Sequence, residues 1–125
     1  MAKILILDEC LSTRNLLAEE LAGEGNVILS TGEPELIPEE ISAFNPDVAI
    51  FDLFIRGTYK WALLGRVKKR NPELPIIIYS GHYPRRDPHL NRIAGFIRKS
   101  FDFRELKQWI SAVLRQPGVT MSMRW

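Results

Sequence analysis

Ile4-Leu5-Ile6-Leu7-Asp8-Glu9, at residues 4–9, sets four consecutive apolar side chains before two acids. Such a run has no polar face to offer water, so a strand here must be covered on both sides, as in a parallel sheet held between helices. The same form recurs in Val27-Ile28-Leu29, Val48-Ala49-Ile50-Phe51, Ile76-Ile77-Ile78-Tyr79 and Gly95-Phe96-Ile97-Arg98. Amphipathic stretches of helical length lie between them. Residues 12–23 place Leu16, Leu17 and Leu21 on one stripe, with Ser12 as N-cap and Gly23 or Gly25 as the stop. Residues 33–44 offer Leu36, Ile41 and Phe44 to the sheet, with Pro38 disturbing the first turn. Residues 58–70 offer Trp61, Leu64 and Val67, and gather Lys68, Lys69 and Arg70 at the negative end of the helix dipole. Residues 103–115 carry Leu106, Ile110, Val113 and Leu114, and Pro117-Gly118 ends them. A fourth, intervening helix of at most one or two turns is expected between Asp87 and Ile93, because Pro84 and Pro88 break that segment.

Five strands alternating with helices predict an α/β fold, a doubly wound (βα)5 parallel sheet of order 2-1-3-4-5. The length of 125 residues suits one domain, read as residues 1–116 with a short tail at 117–125. Composition narrows the class. A hydrophobic share of 46% fits a packed globule, and a formal net charge of +2 is too small for charge-driven binding to DNA or anionic lipid. The one cysteine, Cys10, forms no internal disulfide, and no apolar run approaches a membrane span, so a cytoplasmic setting is expected.

In doubly wound sheets, ligands bind beyond the carboxyl ends of the strands. Asp8 and Glu9 follow the first strand, Asp52 the third, Ser80 the fourth and Lys99 the fifth. Taken singly, each has an ordinary reading: acids at a helix N-terminus, a loop aspartate, a turn serine, a solvated lysine. Their joint placement on one sheet edge points to a pocket. Three crowded carboxylates repel unless a cation neutralises them, and a hard divalent ion such as Mg²⁺ suits such oxygen donors. Cys10 is a soft thiol beside hard carboxylates, and His82 and His89 lack companions at zinc spacing, so none of the three is read as a ligand.

Ile4 to Glu9, Pro46-Asp47-Val48-Ala49-Ile50-Phe51-Asp52, Pro75-Ile76-Ile77-Ile78-Tyr79-Ser80-Gly81 and Gly95-Phe96-Ile97-Arg98-Lys99-Ser100-Phe101, in this order, resemble the receiver domain of two-component response regulators. The resemblance implies the flavodoxin-like, CheY-like fold and makes Asp52 the phosphoacceptor. It makes Asp8, Glu9, Asp52 and the backbone carbonyl of Phe54 the Mg²⁺ ligands. Ser80 and Lys99 then bind the phosphoryl group, Phe96 takes the aromatic switch position, and Phe54 and His82 flank the approach of water and tune dephosphorylation. The implied donor is a histidine kinase or phosphotransfer protein. Output is expected through docking to a downstream protein, by way of the fourth helix, strand five and the last helix, with homodimerisation as a further mode. Tyr83, Arg85, Arg86, Arg92 and Trp109 lend that face basic and aromatic character.

Such a chain would act as a stand-alone switch, catalysing only its own phosphorylation and dephosphorylation. The alternative is a pseudo-receiver, a constitutive interaction module without phosphorylation. Three departures bear on it: Glu9 where aspartate is usual, Arg56 where proline is common, and Ser100 where proline follows the lysine. Without proline a cis bond after Lys99 costs about 2.5–4 kcal/mol, so this peptide is expected to be trans or strained. A flavodoxin-like cofactor site lacks its phosphate cradle here, and a phosphatase of similar topology would need an aspartate at the position of Cys10.

Overall fold

Val48–Phe51 (β3) forms the middle of the sheet, flanked on one side by Lys3–Leu7 (β1) and then Val27–Thr31 (β2), and on the other by Ile76–Ser80 (β6) and then Gly95–Arg98 (β7). The computed structural model describes residues 1–81, 93–100 and 102–115. All four pairings are parallel. Counting main-sheet strands alone, the order is the expected 2-1-3-4-5.

The apolar runs act as their lack of alternation required. Side chains of a strand point to opposite faces in turn. Leu5, Leu7, Ala49, Phe51, Ile76 and Ile78 therefore pack with Ile37–Phe44 (α2) and Trp61–Arg70 (α3), through Ile37, Ile41, Leu64 and Val67. Their neighbours Ile4, Ile6, Val48, Ile50, Ile77 and Tyr79 pack with Leu11–Ala22 (α1) and Arg104–Arg115 (α4), through Leu17, Leu21, Leu106, Ile110 and Val113. Two cores thus share one sheet. Gly95 opens β7 because the Trp109 ring of α4 occupies the space a Cβ would need.

Local details differ from expectation for identifiable reasons. Helix α1 is capped at Cys10 rather than Ser12, because the Asp8 carboxylate already accepts the Cys10 N–H at 2.9 Å and starts the turn earlier. Leu17 and Leu21 face the sheet one turn apart, which rotates Leu16 to 45% exposure. Before α2 the chain makes a 3₁₀ turn, Pro34–Leu36; Leu36 is turned outward and Ile37 takes the buried place. Pro38 sits in the first turn of α2, where no N–H is required.

The segment 58–70 is not one helix. Phe54–Ile55 (β4) and Thr58–Tyr59 (β5) pair antiparallel across Arg56-Gly57, with φ of +54° and +78°, and α3 starts afterwards. Two positive φ values make the tight loop whose twist suits a hairpin. Proline, whose ring fixes φ near −65°, could not take the place of Arg56 in this turn. No described peptide bond is cis, so the Lys99–Ser100 bond is trans. The expected short fourth helix, His82, His89, Tyr83, Arg85, Arg86, Arg92, Phe101, Pro117-Gly118 and the tail lie outside the described residues.

Candidate functional site

The sheet's own hydrogen bonds continue one residue past the strand ends and carry the polar residues to one edge. The N–H of Asp8 donates to Thr31 O at 3.1 Å, that of Asp52 to Leu7 O at 2.8 Å, and that of Lys99 to Ser80 O at 2.9 Å. Backbone register, set by the apolar runs, thus fixes where the charges stand.

Asp8 and Asp52 are 2% and 6% exposed. Their carboxylates share one cation: Lys99 Nζ lies 2.7 Å from Asp8 Oδ2 and 2.7 Å from Asp52 Oδ2. The second oxygen of each is also engaged. Asp8 Oδ1 accepts the Cys10 N–H, while Asp52 Oδ1 accepts the Phe54 N–H and the Ser80 hydroxyl, both at 3.0 Å. Burial works against the charge on Lys99, but its hydrogen bonds to Asp52 and Asp8 and their attraction outweigh it and hold the ammonium above its ordinary pKa. The neutralising cation that crowded carboxylates demand is, in this state, the chain's own lysine.

Glu9 stands apart. It is exposed, and its Oε2 accepts the Arg56 N–H at 3.0 Å, tying the loop after β1 to the β4–β5 turn. The Arg56 guanidinium faces away, 2.7 Å from Glu33 Oε2 and 3.6 Å from Glu35 Oε1. The Arg56 charge is therefore already paired. Among the described residues no three potential metal ligands are gathered as they stand. Asp8 and Asp52 are nonetheless two hard oxygen donors already facing one cation, and Glu9 lies one residue from Asp8. This donor set fits Mg²⁺ with water completing its shell, once Glu9 leaves the Arg56 amide.

Phe54 begins an aromatic wall beside Asp52. Its ring meets Tyr59 edge-on at 4.9 Å, and Tyr59 stacks on Trp61 at 5.6 Å. Burial and then the charge of Asp52 raise the Tyr59 pKa, so its hydroxyl stays protonated at neutral pH. Phe96 is 8% exposed on β7, opposite Ile78, within the core shared with α2 and α3. His82 lies outside the described residues.

Two supports escaped the sequence reading. The Arg14 guanidinium donates to Asp8 O at 2.7 Å and lies against Gly32, where a Cβ would collide with it. No short-range pattern announces that bond. Tyr79 is the other: a tyrosine closing a buried apolar strand carries a hydroxyl that needs a partner, and that signal was available.

A doubly wound α/β domain with a buried acid–lysine–hydroxyl pocket at its carboxyl edge is the class this geometry defines. TrrA of Thermotoga maritima, a response regulator in complex with Mg²⁺-BeF, matches with a TM-score of 0.83 and 28% identity over 90% of this chain and 99% of that one. The same regulator in complex with the histidine kinase ThkA matches at 0.82 and 29%, over 91% and 99%. Among curated proteins, the DNA-binding transcriptional regulator NtrC of Escherichia coli is 32% identical over 63% of this chain and 17% of its own length. The response regulator PhoP of Pseudomonas aeruginosa is 25% identical over 91% of this chain and 52% of its own. The chain thus spans about half or less of these curated relatives, and no family model matches it. Its relatives are response regulators and its structural neighbours are receiver domains, and over most of its length this chain is similar to a response-regulator receiver domain.

Proposed function

We propose that this domain is a phosphorylation switch in which Asp52 accepts a phosphoryl group from a histidine kinase or phosphotransfer protein. One observation carries the reading: Lys99 and Ser80 converge on the two oxygens of a buried Asp52, with Asp8 facing the same ammonium. In the transfer, the P–N bond of the donor phosphohistidine breaks as a P–O bond forms to an Asp52 oxygen, and the released imidazole takes a proton from water. Mg²⁺, held by Asp8, Glu9, Asp52 and the Phe54 carbonyl, would supply charge neutralisation to the phosphoryl oxygens when bound. Lys99 then exchanges a carboxylate for a phosphoryl oxygen, and the Ser80 hydroxyl donates to another. Drawing Ser80 and Lys99 together couples β6 to β7, where Phe96 sits, and so to the face made by β7 and α4. Docking of a downstream protein on that face is the proposed output. The turnover is confined to the domain's own phosphorylation and dephosphorylation, so it is not proposed to be an enzyme acting on other substrates. A cytoplasmic setting belongs to the same proposal; no described helix is long and apolar enough to cross a membrane.

The test is phosphotransfer from radiolabelled histidine kinases in the presence of Mg²⁺, with Asp52→Asn as control. Alkali- and hydroxylamine-labile label on the parent and none on the variant is the expected result. If the parent takes up no label and its fluorescence ignores Mg²⁺ with beryllofluoride, the pseudo-receiver reading replaces this one.

A further inference from the structure

The hydroxyl of Tyr79 is clamped on the backbone of a single residue, Ser100. It donates to Ser100 O at 2.8 Å and accepts the Ser100 N–H at 3.2 Å. The ring is 3% exposed, belongs to the core shared with α1 and α4, and packs at a tilt against Phe103, centroids 6.4 Å apart. Burial raises the Tyr79 pKa more than its bond to Ser100 and the nearby Lys99 charge lower it, so the group remains a phenol able to donate.

Lys99 stands directly before Ser100. Its backbone is fixed on one side by its own N–H on Ser80 O at 2.9 Å, and on the other by the Tyr79 clamp. A lysine side chain has a flexible four-carbon stem, so where its ammonium rests depends on where its backbone is held. The two anchors come from consecutive residues of β6, Tyr79 and Ser80, and Ser80 also bonds the acceptor. The buried hydroxyl therefore holds the backbone beside Lys99 from behind the sheet, on the face opposite Leu5 and Phe51.

We infer that Tyr79 is a positioning residue: by holding the trans Lys99–Ser100 segment where a proline is absent, it sets the reach of Lys99 and so the strength with which the pocket holds a phosphoryl group. This rests on the phosphoacceptor reading above and deepens it. Tyr79→Phe removes both hydrogen bonds and keeps the ring, so the core stays filled.

The test titrates Mg²⁺, then beryllofluoride as the phosphoryl stand-in, into the intact chain, read by tryptophan fluorescence; Trp61 stacks on Tyr59 beside the pocket. Tyr79→Phe is expected to bind beryllofluoride roughly tenfold more weakly, with its Mg²⁺ midpoint within about twofold of the parent. In a Lys99→Met background the same change is expected to add nothing, because the route runs through that lysine. Beryllofluoride binding by Tyr79→Phe within about twofold of the parent overturns the inference. So does a parallel fall in Mg²⁺ affinity, or an undiminished effect in the Lys99→Met background, since either marks a purely structural role. A parent that ignores beryllofluoride altogether sinks the phosphoacceptor reading first, which separates the two failures.

Discussion

Strand β3 has an aspartate at each end, and the two could hardly differ more. Asp47, before the strand, is exposed; its N–H donates to Lys3 O and its Oδ2 accepts the Lys3 N–H, both at 2.8 Å. It closes the ladder between β1 and β3. Asp52, after the strand, makes the same kind of backbone bond to Leu7, but its carboxylate is buried against side chains from β6 and the residue after β7. The residue type says little about role. What separates a pinning aspartate from one set in a pocket is burial, and whether its partners are backbone groups next door or polar side chains brought from distant strands.

The strongest way to break this comparison is to remove each carboxylate in turn. Asp52→Asn is expected to lower phosphoryl uptake by at least about 100-fold, since no nucleophilic oxygen of the same kind remains, whereas Asp47→Asn leaves uptake unchanged. Equal losses in a labelling assay would show that the two ends are not functionally distinct. Next in size is Lys99→Ala, which leaves Asp8 and Asp52 facing each other without their shared cation. Because the lysine side chain is 22% exposed, the loss should fall somewhat below that of a fully buried pair, at about 2–4 kcal/mol in urea unfolding. Added Mg²⁺ is expected to restore more stability to this variant than it adds to the parent; identical Mg²⁺ responses would mean that Lys99 and the metal do not compete.

Phe54→Asn opens the aromatic wall at Asp52. The phosphorylated variant is expected to lose its label about 3- to 10-fold faster, near 1 kcal/mol of barrier, and an unchanged decay would remove Phe54 as a shield against water. Asp47→Ala should cost only about 0.5–1.5 kcal/mol in the same urea assay, the worth of an ordinary hydrogen bond. Asp102 gives the smallest effect and a third member of the series. Hydrogen bonds from Arg104 hold its pKa down to about 2, so it stabilises the fold above its ordinary value of 3.8 and loses that contribution as pH falls through about 2. Asp102→Asn is expected to flatten the acid limb of the Tm–pH curve slightly; an unaltered limb would assign the acid sensitivity elsewhere.

The five main strands were legible because runs such as Ile4-Leu5-Ile6-Leu7 admit no solvent-facing side, and the meeting of Asp8, Asp52, Ser80 and Lys99 followed from their place just past those runs. Features that depend on single backbone angles or on one-residue rotations were not. Arg56 at positive φ gives no compositional warning of a hairpin, although the following Gly57 between Phe54-Ile55 and Thr58-Tyr59 is the kind of signal that marks one. Leu16 and Leu17 are equally apolar, and only the exact start of α1 decides which one is buried. Glu9 sits beside Asp8 in sequence yet turns to the Arg56 amide, a partner 47 residues away that no local pattern specifies.

Gly95 and Trp109 occupy one volume between them, since the indole fills the place a side chain at 95 would take. The two positions therefore cannot drift independently over evolutionary time: a larger residue at 95 is admissible only with a smaller one at 109. With a smaller residue at 109, alanine or serine would be admissible at the start of β7, whereas a swap made at position 95 alone would force β7 and α4 apart.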